Sequence, residues 1–268
     1  MINNFPQVLT IAGSDSDGSA GMQADLHTFF ANRTYGMSVL VAAVSGNSYG
    51  ITSSHLLPND FIDEQFKVLS RDFKILATKT GMLANSSIIE LVAKKIKELD
   101  LGQIVIDPVI TTKHGNKLLE DSAIETIKKQ LFPLAKIVTP NFYEAQILFG
   151  ESFENNMDTI QKAALSIQKM GPKNVVIKGK HSGEKADITD VFLDEKQNFH
   201  YFSHDYIPTD RINGTGDTFS ATIVSQLALK KNLLEAVKIA EEKTQLAIKN
   251  QIEVGHKFGP INHWSIID

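Results

Sequence analysis

Short apolar runs alternate along this chain with longer stretches whose apolar positions recur at three- and four-residue intervals. Val8-Leu9-Thr10-Ile11-Ala12 reads as a buried strand that enters a glycine-rich turn, Gly13 to Gly21. A helix over Met22–Ala31 follows, with Leu26, Phe29 and Phe30 at helical spacing. Met37–Val44 is apolar almost throughout, as a strand covered on both faces is. Residues 60–71 read as an amphipathic helix, and Ile75–Lys79 as a strand meeting Thr80-Gly81-Met82. The same rhythm gives a helix over Ser87–Leu99 and a strand over Gln103–Ile106 that Asp107-Pro108 stops. A helix over Ala123–Leu131 precedes the strand Ile137-Val138-Thr139, which Pro140 closes. Met157–Met170 is helical, and Asn174–Ile177 is a strand ending at Lys178-Gly179. Ile188–Leu193 and Asn198–Phe202 form an antiparallel pair around Asp194-Glu195-Lys196, and Phe219–Leu229 and Leu233–Lys249 are the last two helices.

Strand, turn and helix repeating every 25 to 40 residues or so, about one βαβ crossover each, predict an α/β fold with a mostly parallel central sheet flanked by helices on both faces. In such a sheet ligands bind beyond the carboxyl ends of the strands. Polar and glycine residues gather at those ends: Gly13-Ser14-Asp15, Lys79-Thr80-Gly81, Asp107, Asn141 and Lys178-Gly179. One shared crevice is the expectation.

Composition narrows the function. With 268 residues, 42% hydrophobic and 22% charged, and no Pro/Gly/Ser-rich linker, residues 1–268 read as a single domain. A net charge of -4 without long runs of one sign argues against a nucleic-acid or membrane partner. There is no cysteine, which excludes disulfides and thiolate metal sites. Met1–Pro6 has no signal-peptide character and no window approaches a membrane span, so a cytoplasmic location is expected.

The segment Gly214-Thr215-Gly216-Asp217-Thr218-Phe219-Ser220-Ala221 reads as a glycine turn opening into a helix with a carboxylate on its first turn. Glycines bring N–H groups toward one point, and the helix start adds unpaired donors and a positive dipole end. Asp217 is then either a base that takes an alcohol proton beside a bound phosphoryl group, or an acidic residue favoured by the dipole. Asn141 and Glu144, three apart where a strand hands over to a helix, are either a cap or, beside phosphates, a holder of hydrated Mg²⁺. Lys178 can reach a phosphate as a point charge. The chain lacks Gly-x-x-x-x-Gly-Lys-Ser/Thr and Gly-x-Gly-x-x-Gly. His200 and His204 are four apart, but they fall in the predicted strand pair with no third ligand nearby, which argues against a metal. His114 reads as a solvated loop histidine, and the polar loop from Thr111 to Leu118 as a candidate cover.

The ordered fragments LTIAGSDSDGSAGMQADLHTF, KTGML, VIDPVI, VTPNFYEA, VVIKGKH, INGTGDTFSA and FGPINH resemble the ribokinase-like superfamily, in particular its vitamin-kinase branch of pyridoxal/pyridoxine kinases and hydroxymethylpyrimidine (phosphate) kinases. They run from Leu9 to His263, nearly the whole chain. The resemblance implies ATP- and Mg²⁺-dependent phosphoryl transfer to a hydroxymethyl group on a heteroaromatic ring, and a homodimer. Carried over by position, Asp217 is the base and Gly214, Thr215 and Gly216 the anion hole. Asp107, Asn141 and Glu144 serve Mg²⁺ and phosphates, with Lys178 on the ATP phosphates. Gly13, Asp15, Asp25, Met82 and Val109 match ring-binding positions. Gly46 stands where pyrimidine kinases of the branch usually carry a glutamine, leaving Ser45 and Asn47 for polar contacts. On that departure the expected substrate is a B6 vitamer, with hydroxymethylpyrimidine as the alternative. A non-enzymatic binding protein on this fold would tolerate loss of Asp217 or the glycines, and both are intact.

Overall fold

The computed structural model describes residues 2–111, 118–180 and 188–267. Nine strands form one sheet: β1 Gln7–Asp15, β2 Tyr35–Asn47, β3 Gly50–Leu56, β4 Ile75–Thr80, β5 Gln103–Ile106, β6 Ile137–Val138, β7 Val175–Ile177, β8 Ile188–Leu193 and β9 Phe199–His204. Their order across the sheet is β3-β2-β1-β4-β5-β6-β7-β8-β9. β2 through β7 in that order run parallel, while β3, β8 and β9 are added antiparallel at the two edges. The helices are α1 Gly21–Ala31, α2 Asn59–Asp72, α3 Ser86–Glu98, α4 Asp121–Thr126, α5 Phe142–Phe149, α6 Met157–Gln168, α7 Thr215–Ala228 and α8 Leu233–Lys249.

Alternation along the strands sorts the core into two layers. Leu9 and Ile11 of β1 and Ile104 and Ile106 of β5 face α2 to α6, where Phe66, Ile89, Ala145 and Ile167 meet them. Val8 and Val105 point the other way, onto Phe29 of α1, Phe219 and Val224 of α7 and Val237 of α8. Helices therefore cover both faces, as the repeating pattern predicts. α7 is buried from Thr218 to Ala228 and carries the small polar residues Thr218, Ser220, Thr222 and Ser225. Three of these hydroxyls find partners inside: Thr218 Oγ1 lies 2.9 Å from His263 Nε2, Ser225 Oγ 3.0 Å from Thr34 Oγ1, and Ser220 Oγ 3.3 Å from Asp107 Oδ2.

Three expectations change. β3 escapes sequence reading because every residue after Gly50 is exposed, so no apolar alternation marks it. The helix expected from Phe219 begins four residues earlier, at Thr215, so Asp217 stands inside its first turn. The helix expected over Ala123–Leu131 is α-helical only to Thr126, and Ile127–Leu131 continues as a π-helical turn. No helix among the described residues is long and apolar enough to cross a membrane.

Chain direction reverses beside β1: the chain steps from β1 out to β2, then crosses back to β4 on β1's other side. That switch opens a crevice at the carboxyl ends of β1 and β4, where the Gly13–Asp15 and Lys79–Thr80 ends lie.

Candidate active site

The crevice widens into a cavity of about 1000 Å³ along the carboxyl edge of the sheet. Its lining includes Gly13, Asp15, Asn47, Met82, Asp107, Val109, Asn141, Glu144, Lys178, Gly214, Thr215, Gly216 and Asp217. Thirteen expected site residues thus come to one space from seven segments of chain.

The helix start is shaped by glycine. Gly214 caps α7 with φ 83°, in the left-handed region, and a Cβ there would lie 2.3 Å from the Ser19 carbonyl oxygen. The turn thereby seats directly on the β1–α1 loop. Thr218 N–H makes the first intrahelical bond, to the Gly214 carbonyl at 2.8 Å, and Thr215 N–H donates to Ile212 at 3.3 Å. The N–H groups of Gly216 and Asp217 precede that ladder and remain for an anion. A Cβ on Gly216 would approach Lys178 Nζ to 3.2 Å and Asp107 Oδ2 to 3.5 Å, so the bare glycine keeps the space between them open.

Asp217 is tied to a charge chain that sequence reading does not reveal. Lys79, at the end of β4, is fully buried and pairs with the equally buried Asp25 of α1, while its Nζ lies 3.7 Å from Asp217 Oδ1. Thr10 Oγ1 donates to the other Asp25 oxygen at 2.6 Å. Burial disfavours the Lys79 charge, but Asp25, Asp217 and Asp107 outweigh it and hold the ammonium above its usual range. Burial raises the Asp217 carboxyl, and Asp107 adds to this while Lys79, Lys178 and the Gly21 N–H oppose it. Asp25 therefore does not meet a ring: it is absent from the cavity lining and is engaged beneath the floor with Lys79. The strand end Lys79-Thr80-Gly81 flagged the lysine as near the crevice, but no pattern tells a buried lysine from an exposed one.

On the opposite side Asn141 and Glu144 form a reciprocal capping box at the start of α5. Asn141 Oδ1 accepts from Glu144 N–H and Glu144 Oε2 from Asn141 N–H, each at 2.9 Å. Glu144 Oε1 accepts from Ile110 N–H at 3.0 Å. Burial, then Asp107, pushes the Glu144 carboxyl up to about 7. The cap is thus real, and it also aims a buried carboxyl at Asp107 and the cavity. Lys178 Nζ stands 3.8 Å from Asp107 Oδ1.

Met82 and Val109 line the end of the cavity beside Gly13. Met82 extends over Gly13, where a Cβ would lie 2.7 Å from its Cε. Val109 is held at φ 38°, an uncommon conformation for a β-branched residue, directly after Pro108. Asn47 lines this end with its Oδ1 accepting from Tyr49 N–H at 2.9 Å, whereas Ser45 is exposed, bonds Thr52 through its carbonyl at 2.9 Å and does not line the cavity. Ser45 is therefore not a ring contact. The His114 and Thr111–Leu118 readings concern residues 112–117, which lie outside the described residues.

Asp15 accepts from Ala20 N–H at 3.1 Å and Ser19 Oγ at 3.2 Å. Burial, with Asp17 adding to it, lifts its carboxyl from 3.8 to about 6. A carboxyl raised by folding favours its protonated form, so through this group the native state loses stability as pH climbs from about 4 to about 6. Thermal melts of Asp15→Asn across that window should lack this slope; an unchanged slope in the variant would assign it elsewhere.

His200 and His204 part company. His200 Nε2 faces Asp194 Oδ2 at 3.2 Å and its ring stacks on Phe192, whereas His204 turns toward the cavity.

Comparison with known proteins places this geometry. The sequence profile of a family described as phosphomethylpyrimidine kinase matches residues 15–262. The hydroxymethylpyrimidine/phosphomethylpyrimidine kinase of Haemophilus influenzae is 39% identical over 267 residues, covering 98% of each chain. The ADP complex of Bacillus subtilis pyridoxal kinase superposes with a TM-score of 0.90 at 36% identity, covering 98% of this chain and 99% of that one. The Staphylococcus aureus pyridoxal kinase bound to AMP-PCP and pyridoxal gives 0.89 at 34% identity, covering 97% and 94%.

Proposed function

The chain belongs to the phosphomethylpyrimidine kinase family, and on that footing we propose that it transfers the γ-phosphoryl group of ATP to the hydroxymethyl oxygen of a hydroxymethylpyrimidine and, in a second round, to the resulting monophosphate. The observation that carries this reading is the convergence of Asp217, the open N–H groups at the start of α7 and the Lys178–Asp107 pair on one cavity. Residues 1–268 act together as one kinase domain.

The reaction needs positioning and charge more than covalent chemistry. The hydroxymethyl oxygen forms a bond to the γ-phosphorus, the bond to the β,γ-bridging oxygen breaks, and ADP leaves with that electron pair. The alcohol proton passes to Asp217, whose carboxylate burial has made a stronger base than a solvated aspartate. Gly216 and Asp217 N–H groups and Lys178 hold the negative charge of the transferring group. Asp107 and Glu144 fit Mg²⁺: both are oxygen donors lining the cavity, close enough for each carboxylate to feel the other's charge. When bound there, Mg²⁺ supplies charge neutralisation to the ATP phosphates.

The preference for a B6 vitamer rested on Gly46, and the structure supplies another reason for that glycine. It sits at a register shift between β2 and β3, where a Cβ would lie 3.2 Å from the Gly50 carbonyl oxygen and 3.3 Å from Ile51 Cα. Close approach of the hairpin explains the missing side chain without reference to the ring, and the curated relative of Haemophilus influenzae favours the pyrimidine. Pyridoxal stays as the second reading because the similar Staphylococcus aureus kinase is solved with it. Parallel assays with hydroxymethylpyrimidine, its phosphate and pyridoxal test the choice. The pyrimidine alcohol should give the highest kcat/KM; turnover of pyridoxal alone would reverse the assignment.

The same reading includes a homodimer. β3 is an antiparallel edge strand exposed along its length, with Tyr49 and Ile51 solvent-facing at its start, and such an edge invites a second copy. Light scattering during gel filtration should give twice the chain mass. A monomer at tens of micromolar would remove the dimer from the proposal.

A further inference from the structure

We propose that Asp190 of β8, His204 of β9 and Glu241 of α8 form a binding site for a divalent transition-metal ion, in the manner of Zn²⁺, on the cavity wall beyond Lys178. Each of the three offers a ligand atom, and these atoms all lie within 4.8 Å of one another. All three residues line the cavity, so an ion has a route in and a position facing open space.

The arrangement is built in both its shells. Asp190 Oδ1 is fixed by the Gly179 N–H at 2.6 Å and faces His204 Nε2 at 3.9 Å. His204 Nδ1 lies 3.4 Å from the Asp205 carbonyl oxygen, which can only accept. That contact selects the Nδ1–H tautomer and puts the ring's lone pair at Nε2, on the side of Asp190. Gln245 Nε2 lies 3.2 Å from the same His204 nitrogen, and an amide N–H can donate to a lone pair there. Metal-bound imidazoles are commonly oriented through their second nitrogen in this way.

Glu241 is the independent sign. Its residue is 7% exposed, and Oε1 has no hydrogen-bond partner among the described residues. Leaving a buried carboxylate oxygen without a donor is costly, and a bound cation would satisfy it. Two carboxylates and one imidazole make a mixed oxygen–nitrogen set, which suits Zn²⁺ or Mn²⁺ better than an all-oxygen Mg²⁺ shell. Three protein ligands leave a coordination position toward the cavity.

The site stands apart from the kinase reading, because its test needs neither nucleotide nor turnover. Isothermal titration of the nucleotide-free protein with ZnCl₂ should show one ion bound per chain. His204→Ala and Glu241→Gln should each weaken it by at least about tenfold, while His200→Ala binds as wild type does. X-ray absorption of the zinc-loaded protein should show one imidazole among oxygen donors, and that imidazole signature should disappear in His204→Ala. Circular dichroism melts confirm that the variants fold, and Glu241→Gln keeps the side-chain shape if His204→Ala does not. Absence of binding, wild-type affinity in both His204→Ala and Glu241→Gln, or binding lost with Asp107→Asn but kept in His204→Ala would each overturn the site.

Discussion

Replacing Asp217 by asparagine should lower kcat by about 10²–10⁴-fold while ATP binds within a few-fold of wild type. The substitution keeps the side chain's shape and leaves the Gly216 and Asp217 N–H groups where they are, so the anion hole survives. What disappears is an acceptor for the alcohol proton. Removing a negative charge close to the nucleotide's phosphates also spares ATP affinity. Steady-state rates with the pyrimidine alcohol, alongside calorimetric titration with a non-hydrolysable ATP analogue, separate the two quantities. Wild-type turnover would strip Asp217 of its role as base. Equal loss of nucleotide affinity would instead make it a structural part of the phosphate cradle.

Lys79→Met should be the most damaging single change to the fold near the site. The ammonium is itself fully buried and is shared between the buried Asp25 and the cavity-facing Asp217. A buried ion pair contributes modestly as a whole, yet removing one member leaves the other charged and stranded at a cost of about 3–5 kcal/mol. For a chain of this length that corresponds to a melting temperature lower on the order of 10 °C. Burial already outweighs Lys79 and holds Asp25 up at about 7, so loss of the lysine makes a carboxylate at that position costlier still. Adding Asp25→Asn to Lys79→Met should accordingly recover part of the lost stability. It should recover little kcat, because Asp217 still lacks its cation. Two single variants whose costs simply add would show that Lys79 and Asp25 are not coupled.

The sheet, its two helical layers and most of the cavity lining were legible because their signals are local. A parallel strand largely covered on both faces is apolar almost throughout, as Met37–Val44 is, and a glycine turn opening into a helix advertises itself in Gly214, Gly216 and Asp217. Three things were not legible. β3 is an exposed edge, so nothing in its composition separates it from a loop. Asp25 and Lys79 sit fifteen residues or more from the groups they pair with, and a charged residue's burial is decided by partners that only the fold assembles. Asn141 and Glu144 carried two compatible readings; the capping box is present, and it is also what points Glu144 toward Asp107.

The seat of Gly214 on the Ser19 carbonyl has a practical consequence for anyone redesigning substrate choice. The β1–α1 loop, proposed to meet the ring, and the start of α7, proposed to meet the nucleotide's terminal phosphate, touch at a single joint with no room for a methyl group. Transplanting the first segment from a cousin with another length or backbone path would drag the second with it. Specificity in this scaffold is therefore not an interchangeable cartridge, and grafts should carry both segments across as a unit.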